Sequence, residues 1–190
     1  MKKLLTTFIE NTLHYFGFLE KEYKMMYEQT DICTIRWIKE NYCLYISYDY
    51  SRSYEINIFF HKINDNTSPF DIYDLMKYSD IEFGDISVFQ ASSEERVTQI
   101  IEKISGNLYH VMQKSDMFTS EVINKLREQR ERECTTKAMQ DKLFWMRKDL
   151  EIAWREKNYV EVKKLLEPFL YDISQTETKK YRYAVKKCDN

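Results

Sequence analysis

The chain has 190 residues, of which 43% are hydrophobic and 32% are charged, an ordinary composition that favours a folded globular chain over a disordered one. Three Gly and two Pro exclude collagen-like and low-complexity classes. The net charge of −2 shows no basic excess, so nucleic acid is not the partner we expect.

The sequence predicts neither an export signal nor a membrane span. The apolar N-terminal run ends at Glu10 and Asn11, before an export signal of normal length. No stretch approaches the roughly 20 apolar residues of a membrane span. The four cysteines contain no CxxC pair, so we expect free thiols and a cytoplasmic location.

Apolar residues at helical spacing predict a first helix at about residues 2–16, and Gly17 favours its end there. Four segments rich in strand-forming residues follow, 19–28, 32–39, 42–49 and 53–62. They predict a four-stranded antiparallel meander whose apolar face is covered by the first helix. The expected fold class is therefore α+β, an N-terminal helix and sheet followed by a helical C-terminal half.

The register of the predicted strands follows from loops at Glu40–Asn41 and at 49–53. The resulting cross-strand pairs are all apolar or aromatic. They are Ile35 with Ile46, Trp37 with Leu44, Tyr48 with Tyr54, Ile46 with Ile56, Leu44 with Ile58 and Tyr42 with Phe60. One apolar face then crosses three strands, and a slip of one residue would scramble it.

The opposite face of the predicted sheet is polar with two aromatic side chains, as is typical of a half-solvated sheet. Its residues are Thr34, Arg36, Cys43, Tyr45, Ser47, Glu55, Asn57, Phe59 and His61. Tyr45 and Phe59 form one candidate patch for a protein partner, because aromatic side chains anchor many protein interfaces.

The sequence of residues 64–90 predicts a loop, a short helix around 70–78 and an irregular stretch. Their acidic residues are Asp65, Asp71, Asp74, Asp80, Glu82 and Asp85, against Lys77 alone. A solvated acidic surface is the simple interpretation. The functional hypothesis is a docking surface for a basic partner, formed by Asp71, Asp74, Asp80, Glu82 and Asp85 with interleaved aromatic residues. Asp71 and Asp74, three residues apart, could also bind a metal, but more commonly such acids stabilise a helix dipole.

Helical periodicity begins at about residue 92 and continues towards the C-terminus. The predicted helices cover 92–114, 120–157, 159–171 and 174–186. Capping boxes at Ser92–Glu95 and Ser174–Glu177 open the first and the last of them. The expected parts are 1–90, the helix and sheet with the acidic segment, and 91–190, a helical region packed on it as one compact unit.

The run Arg127–Glu133 alternates in charge, which favours an exposed, self-neutralising helix and argues against a nucleic-acid stripe. The sequence leaves open whether the helix is continuous through 114–136. It also lacks catalytic motifs: the three histidines lie in separate elements, and no glycine-rich loop or zinc-ligand spacing is present. We therefore expect no metal, no cofactor and no enzymatic activity, with a site assembled from distant residues as the alternative.

The C-terminal segment contains a recognisable pattern. Ala153–Pro168 predicts a helix, a tight turn and a helix, with an Ala shortly before a Tyr and an apolar LLEP stretch, and Ser174–Lys180 opens another helix. This pattern resembles the helical tail of small uncharacterised bacterial proteins, some of which are similar to immunity proteins of polymorphic-toxin systems. The resemblance implies a protein that acts by binding another protein, and it transfers no catalytic residues.

Together these observations predict a protein-binding module, an immunity-type inhibitor that occludes the basic site of a toxin. The expected partner is another, basic protein, and neither a membrane nor a nucleic acid. The alternative is a self-assembling structural or regulatory protein, in which the long helices pair and Trp145, Met146 and Leu150 form the interface of a homo-oligomer.

Overall fold

The computed structural model describes residues 2–82 and 89–188. The helices are α1 (Lys2–Tyr15), α2 (Phe18–Lys21), α3 (Ile72–Tyr78), α4 (Glu94–Lys114), α5 (Ser120–Arg155), α6 (Tyr159–Leu166) and α7 (Gln175–Cys188). The strands are β1 (Met26–Asp31), β2 (Thr34–Lys39), β3 (Tyr42–Tyr48), β4 (Ile56–Lys62) and β5 (Phe70–Asp71). The α+β class is confirmed, with an N-terminal helix, an antiparallel sheet and a helical C-terminal half.

The sheet is an antiparallel meander in the order β1-β2-β3-β4-β5. Its fifth strand is absent from the sequence prediction. β5 has only two residues, Phe70 opposite Phe60 and Asp71 opposite Phe59, which is too short to produce a period. It is paired because the chain returns along β4 before it enters α3.

The predicted pairing of β2 with β3 is confirmed, since Ile35 lies opposite Ile46. The predicted pairing of β3 with β4 is wrong by two residues, because Ile46 lies opposite Ile58 rather than Ile56. A shift of two residues keeps each side chain on its face, so the predicted apolar face is retained although its pairs change.

The loop between β3 and β4 explains this shift. The carboxylate of Asp49 accepts hydrogen bonds from the backbone N–H groups of Arg52 (3.2 Å) and Ser53 (3.4 Å). Tyr54 has a left-handed φ of 56°, and the Asp49 N–H donates to the Glu55 carbonyl (2.9 Å). The loop therefore closes at Asp49 and Glu55, later than the sequence predicts.

The predicted first strand, 19–28, has the wrong bounds. Its first residues form α2, which buries Leu19 completely, and Lys24 has a left-handed φ of 58° that interrupts extended backbone. β1 begins only after this turn. Tyr27 lies opposite Trp37, on the face that the sequence predicts for it.

Two compact units make up the chain, Met1–Arg130 and Glu131–Asn190, and α5 runs through the boundary as one continuous helix. The expected division after residue 90 places α4 in the C-terminal part. In the structure α4 belongs to the first unit, where it contacts α1, α3 and β4. Its N-cap is Ser93, whose hydroxyl accepts from the Arg96 N–H (3.2 Å), one residue after the predicted Ser92.

The core of the first unit lies on the apolar face of the sheet. Phe16, the residue that follows α1, stacks on Trp37 with ring centroids 5.6 Å apart, and the rings of Phe8 of α1 and Tyr48 lie 5.3 Å apart. All four side chains are at most 1% exposed. Burying each such side chain contributes about 1.5–3 kcal/mol to the stability of the fold. These contacts confirm that α1 covers the apolar face of the sheet, as the sequence predicts.

The second unit consists of the C-terminal part of α5 with α6 and α7, packed around a smaller core. Its buried residues are Leu143, Met146, Leu150, Ala153, Val162, Leu166 and Ala184. Met146 and Leu150 are therefore core residues and unavailable as the interface predicted for them, whereas Trp145 is 60% exposed. The predicted helix 159–171 ends as an α-helix at Leu166 and continues as a 3-10 turn that contains Pro168.

The four cysteines are free thiols, with Cys43 buried, Cys33 half-buried, and Cys134 and Cys188 exposed. The capping box predicted at Ser174–Glu177 is present, with hydrogen bonds of 2.7 and 3.2 Å between the two residues. Across residues 2–82 and 89–188, no helix has the length and apolar character needed to cross a membrane.

Candidate functional site: the open face of the sheet

One residue from each of the five strands forms a single row on the open face of the sheet. This cross-strand row consists of Glu28, Arg36, Tyr45, Phe59 and Asp71, each directly opposite the next. Opposed residues in antiparallel strands share a face, with Cβ atoms about 4.5–5.5 Å apart. The row therefore joins the two patches that the sequence analysis treats separately, since Tyr45 and Phe59 belong to one and Asp71 to the other.

The centre of the row is aromatic. The rings of Tyr45 and Phe59 lie 5.1 Å apart, and the ring of Tyr45 lies 5.8 Å from His61. All three side chains are half-buried. Burial raises the pKa of the Tyr45 hydroxyl, which therefore remains protonated and available as a donor at neutral pH. The pair retains apolar surface that a partner could bury.

An ion pair lies on the β1 side of the aromatic centre. The Arg36 guanidinium donates to Glu28 Oε2 through Nε (2.9 Å) and Nη2 (2.7 Å). The two side chains are 36% and 49% exposed, so the pair contributes at most about 1 kcal/mol to stability. The ion pair directs the Arg36 guanidinium towards Glu28 of β1, and Arg36 lies opposite Tyr45 in the register of β2 with β3.

Asp71, at the β5 end of the row, caps α3. Its Oδ1 accepts from the Asp74 N–H (3.0 Å), while Asp74 Oδ2 accepts from the Asp71 N–H (2.9 Å). Burial raises the pKa of the Asp71 carboxyl, against the effect of the Asp74 N–H. The two carboxylates therefore form a capping box, so they stabilise the start of α3.

Arg130 of α5 forms an ion pair with Asp74. Its Nε and Nη2 donate to Asp74 Oδ2 at 3.1 and 2.5 Å. Nη1 and Nη2 also donate to the carbonyls of Ser68 (2.9 Å) and Pro69 (2.5 Å), and the guanidinium lies 4.5 Å from the centre of the Phe70 ring. Arg130 thus ties α5 to the segment that leads into β5 and neutralises Asp74.

A second arginine of α5, Arg127, also pairs its charge with a carboxylate of the acidic segment. Arg127 forms an ion pair with Asp65, whose pKa is lowered by a hydrogen bond from the Thr67 N–H, against burial, and by the Arg127 charge. The prediction of an exposed, self-neutralising run at Arg127–Glu133 is therefore wrong for Arg127 and Arg130, whose charges are paired with another element. The register between α5 and this segment is a tertiary feature that charge alternation cannot show.

The remaining acidic residues lie outside the row. Asp80 and Glu82 follow α3 and are exposed. Lys114 of α4 donates to the carbonyls of Ser79 (2.9 Å) and Asp80 (3.3 Å), which holds the backbone there and leaves the Asp80 carboxylate on the surface. Asp85 lies outside the described residues.

Cys43 and His61, directly opposite each other on the same face, combine a nucleophile and a base. Burial raises the pKa of the Cys43 thiol and lowers the pKa of His61, against the nearby charge of Asp65. Both shifts favour the neutral forms, whereas a cysteine nucleophile needs its thiolate. Among the residues that the structure describes, no group of three or more His, Cys, Asp and Glu side chains is placed to hold a metal ion.

No protein-family model, curated protein or solved structure matches this chain. The resemblance to immunity proteins therefore stays a prediction. A fold of this class supports many functions, so the indication of function comes from the residues of the cross-strand row and their surroundings.

Proposed function

We propose that the chain is a protein-binding module, an immunity-type inhibitor that covers a basic site of a toxin with the open face of its sheet. The observation that carries the proposal is the aromatic centre of the row, Tyr45 and Phe59, between the cation of Arg36 and the carboxylate of Asp71. Aromatic side chains and arginine are enriched at the energetic centres of protein interfaces.

The negative charge for a basic partner comes from the exposed carboxylates of Asp80 and Glu82 together with half-buried Asp71. Asp74 contributes less, because Arg130 already binds it. In this arrangement the acidic residues steer the encounter, and the aromatic centre supplies most of the affinity. We place the function in the cytoplasm, because its reducing conditions keep thiols such as these four free.

The test compares the wild-type chain with a Tyr45→Ala/Phe59→Ala variant in capture from bacterial lysate, with the captured protein identified by mass spectrometry. The captured protein is then purified, and its toxic activity is measured against increasing amounts of each variant. Loss of the aromatic centre should weaken inhibition by about 30-fold or more, as for interface hot spots. A Ser47→Ala/Asn57→Ala variant changes an adjacent pair on the same face and should inhibit like the wild type.

Reversing the charges of the exposed acidic residues shows whether they speed the association with the partner or contribute to the contact itself. Asp80→Lys/Glu82→Lys should slow association at low salt and have little effect at high salt, because salt screens exposed charges. Full inhibition by the Tyr45→Ala/Phe59→Ala variant, with its fold intact by circular dichroism, would contradict the open face as the contact surface. A captured partner with no basic site would contradict the proposed mechanism.

A further inference from the structure

The last helix of the second unit, α7, carries a concentration of positive charge that the net charge of the whole chain conceals. Five of its 14 residues are Lys or Arg, against the single acidic residue Glu177, which is buried and already bound by Arg147. The net charge of −2, which argues against a nucleic-acid partner for the chain as a whole, therefore does not describe this helix.

The cations lie together on one side of α7. Successive residues of a helix are about 100° apart, so the segment 179–187 places all five cations and one tyrosine within an arc of roughly 160°. This surface, here called the basic face, consists of Lys179, Lys180, Arg182, Tyr183, Lys186 and Lys187. Lys180 is half-buried and the other side chains are exposed. The opposite side carries Ala184, which is completely buried, so α7 packs through that side and presents the basic face to solvent.

The charges of the basic face are not neutralised by nearby carboxylates. Within the described residues, no ion pair is formed by Lys179, Lys180, Arg182 or Lys187. The helix dipole favours cations only in the last turn, where Lys186 and Lys187 lie. It does not account for the three cations before that turn. Neighbouring like charges repel one another, and a bound polyanion relieves this repulsion.

An aromatic cluster lies beside these cations. The ring centroid of Tyr183 lies 5.7 Å from that of Trp154 on α5 and 5.4 Å from that of Tyr159 on α6. Lys180 Nζ lies 5.2 Å from the centre of the Trp154 ring, and Lys187 Nζ lies 5.8 Å from the centre of the Tyr183 ring. Tyr183 is 44% exposed, so its ring is held by its neighbours and still offers surface on which a base can stack.

The combination of cations with an exposed aromatic ring indicates which polyanion fits. Single-stranded nucleic acids offer both phosphates and unstacked bases, and proteins bind them with basic surfaces that carry aromatic side chains. A membrane-surface helix needs an apolar side that is free to enter the lipid, whereas the apolar side of α7 is buried in its own unit. A carboxylate-rich polypeptide matches the cations but supplies no planar base for the ring.

We infer that the basic face binds single-stranded nucleic acid through its phosphates, with one base stacked on Tyr183. The inference is independent of the proposed inhibitor function, because it concerns another unit and another surface. The basic face is only about 12 Å long, so it contacts a few phosphates and does not read the base sequence. The expected affinity is modest and depends strongly on salt.

Fluorescence anisotropy of a labelled oligouridylate, titrated with the full chain at a series of salt concentrations, tests the phosphate contacts. A plot of the logarithm of the association constant against the logarithm of the salt concentration should have a slope of about −3, as for about four phosphate contacts. Lys179→Glu/Arg182→Glu should weaken binding at least about tenfold and reduce the slope by about half, with its helix content retained by circular dichroism.

The matched control for this charge reversal is Lys137→Glu/Lys142→Glu, which makes the same change of charge on exposed residues of α5 in the same unit. Lys142 lies roughly 18 Å along α5 from Trp154, the residue of that helix that contacts Tyr183. The control should therefore keep the wild-type slope and bind within about twofold of the wild type.

Variants of Tyr183 test the stacking. Tyr183→Ala should weaken binding of the oligouridylate about tenfold without changing the salt slope, because stacking on a base releases no counterions. Tyr183→Phe should bind like the wild type. Binding of a duplex of the same length should be unaffected by Tyr183→Ala, because the bases of a duplex are already stacked on one another.

The inference is overturned if the wild type does not bind the oligouridylate at low salt, or if Lys179→Glu/Arg182→Glu binds it as tightly as the wild type. Displacement by polyglutamate as effective as that by unlabelled oligouridylate would also overturn it, since the basic face would then accept any polyanion. Binding to vesicles of anionic lipid without binding to the oligouridylate would have the same consequence.

Discussion

Glu177 shows at the scale of one residue how neighbours change a carboxylate. It is 8% exposed, and its Oε1 accepts from Arg147 Nε at 2.7 Å. The hydrogen bond from Arg147 is the largest cause that lowers the pKa of Glu177 to about 2, with burial opposing it and Ser174 assisting. The carboxylate therefore links α5 to the start of α7 within the second unit.

Glu177→Gln should lower the free energy of unfolding by about 1–2 kcal/mol at neutral pH, since a charge-assisted hydrogen bond becomes a neutral one and Arg147 is half exposed. The folded pKa of about 2 lies below the ordinary value of 4.5, so this stabilisation is complete above 4.5 and is lost as pH falls towards 2. Urea unfolding of both proteins at a series of pH values measures it.

The matched control for this prediction is Glu156→Gln, since Glu156 is exposed just after α5. It should leave stability unchanged at every pH. A difference between wild type and Glu177→Gln that is as large at pH 2 as at neutral pH would show that the effect arises from side-chain packing and not from the charge.

At the scale of elements, the segment from Ser68 to Asp74 is held in place by β4 on one side and by Arg130 of α5 on the other. β5 pairs with β4, the capping box starts α3, and Arg130 of α5 binds Asp74 and two backbone carbonyls. These contacts determine where the acidic end of the cross-strand row lies. The residue that the sequence analysis misses here is Arg130, whose partner Asp74 lies 56 positions earlier in the chain.

Arg130→Ala should lower the free energy of unfolding of the first unit by about 2–3 kcal/mol, because it leaves the largely buried carboxylate of Asp74 without its cation. Arg130→Lys should recover only part, since an ammonium cannot reproduce the forked contacts of a guanidinium. Urea unfolding gives the free energy, and hydrogen exchange of the α3 amides locates the loss.

Arg132→Ala removes an exposed arginine from the same helix and serves as the control, with an expected change of at most about 0.5 kcal/mol. Equal effects of Arg130→Ala and Arg132→Ala would contradict the role of Arg130 in holding this segment.

At the scale of the whole molecule, the two units have separate buried clusters, a large one on the sheet and a smaller one among the C-terminal helices. Each unit contains two of the four cysteines, and their thiols differ in how far they are buried. Cys43 is buried in the sheet and Cys33 is half-buried near it, whereas Cys134 and Cys188 are exposed on helices.

A disulfide reagent should therefore react rapidly in the native protein with Cys134 and Cys188, more slowly with Cys33, and with Cys43 only on unfolding. Burial is the main cause that raises the pKa of the Cys33 and Cys43 thiols, which further slows their reaction. Absorbance of the released thiol measures the rates. The Cys134→Ser/Cys188→Ser variant should lack the rapid phase, and a rapid phase that remains in it would contradict the burial of the sheet thiols.

The sequence by itself determined the helices with a strong apolar period, such as α1 and α4, and the face on which each residue of β2, β3 and β4 lies. Periodicity has this power because it records which side of an element meets the core. It could not determine where β4 lies along β3, since a two-residue shift preserves the pattern and only the Asp49 loop selects between the two registers.

Only the tertiary structure decided that Tyr45, Phe59 and Asp71 form one surface, and that two arginines of α5 neutralise part of the acidic segment. These contacts join residues far apart in sequence, and no local pattern encodes which distant segment will lie beside which. The same holds for α5 itself. Its composition shows apolar residues on all sides, but only packing decides which stripe is buried in the second unit and which remains exposed.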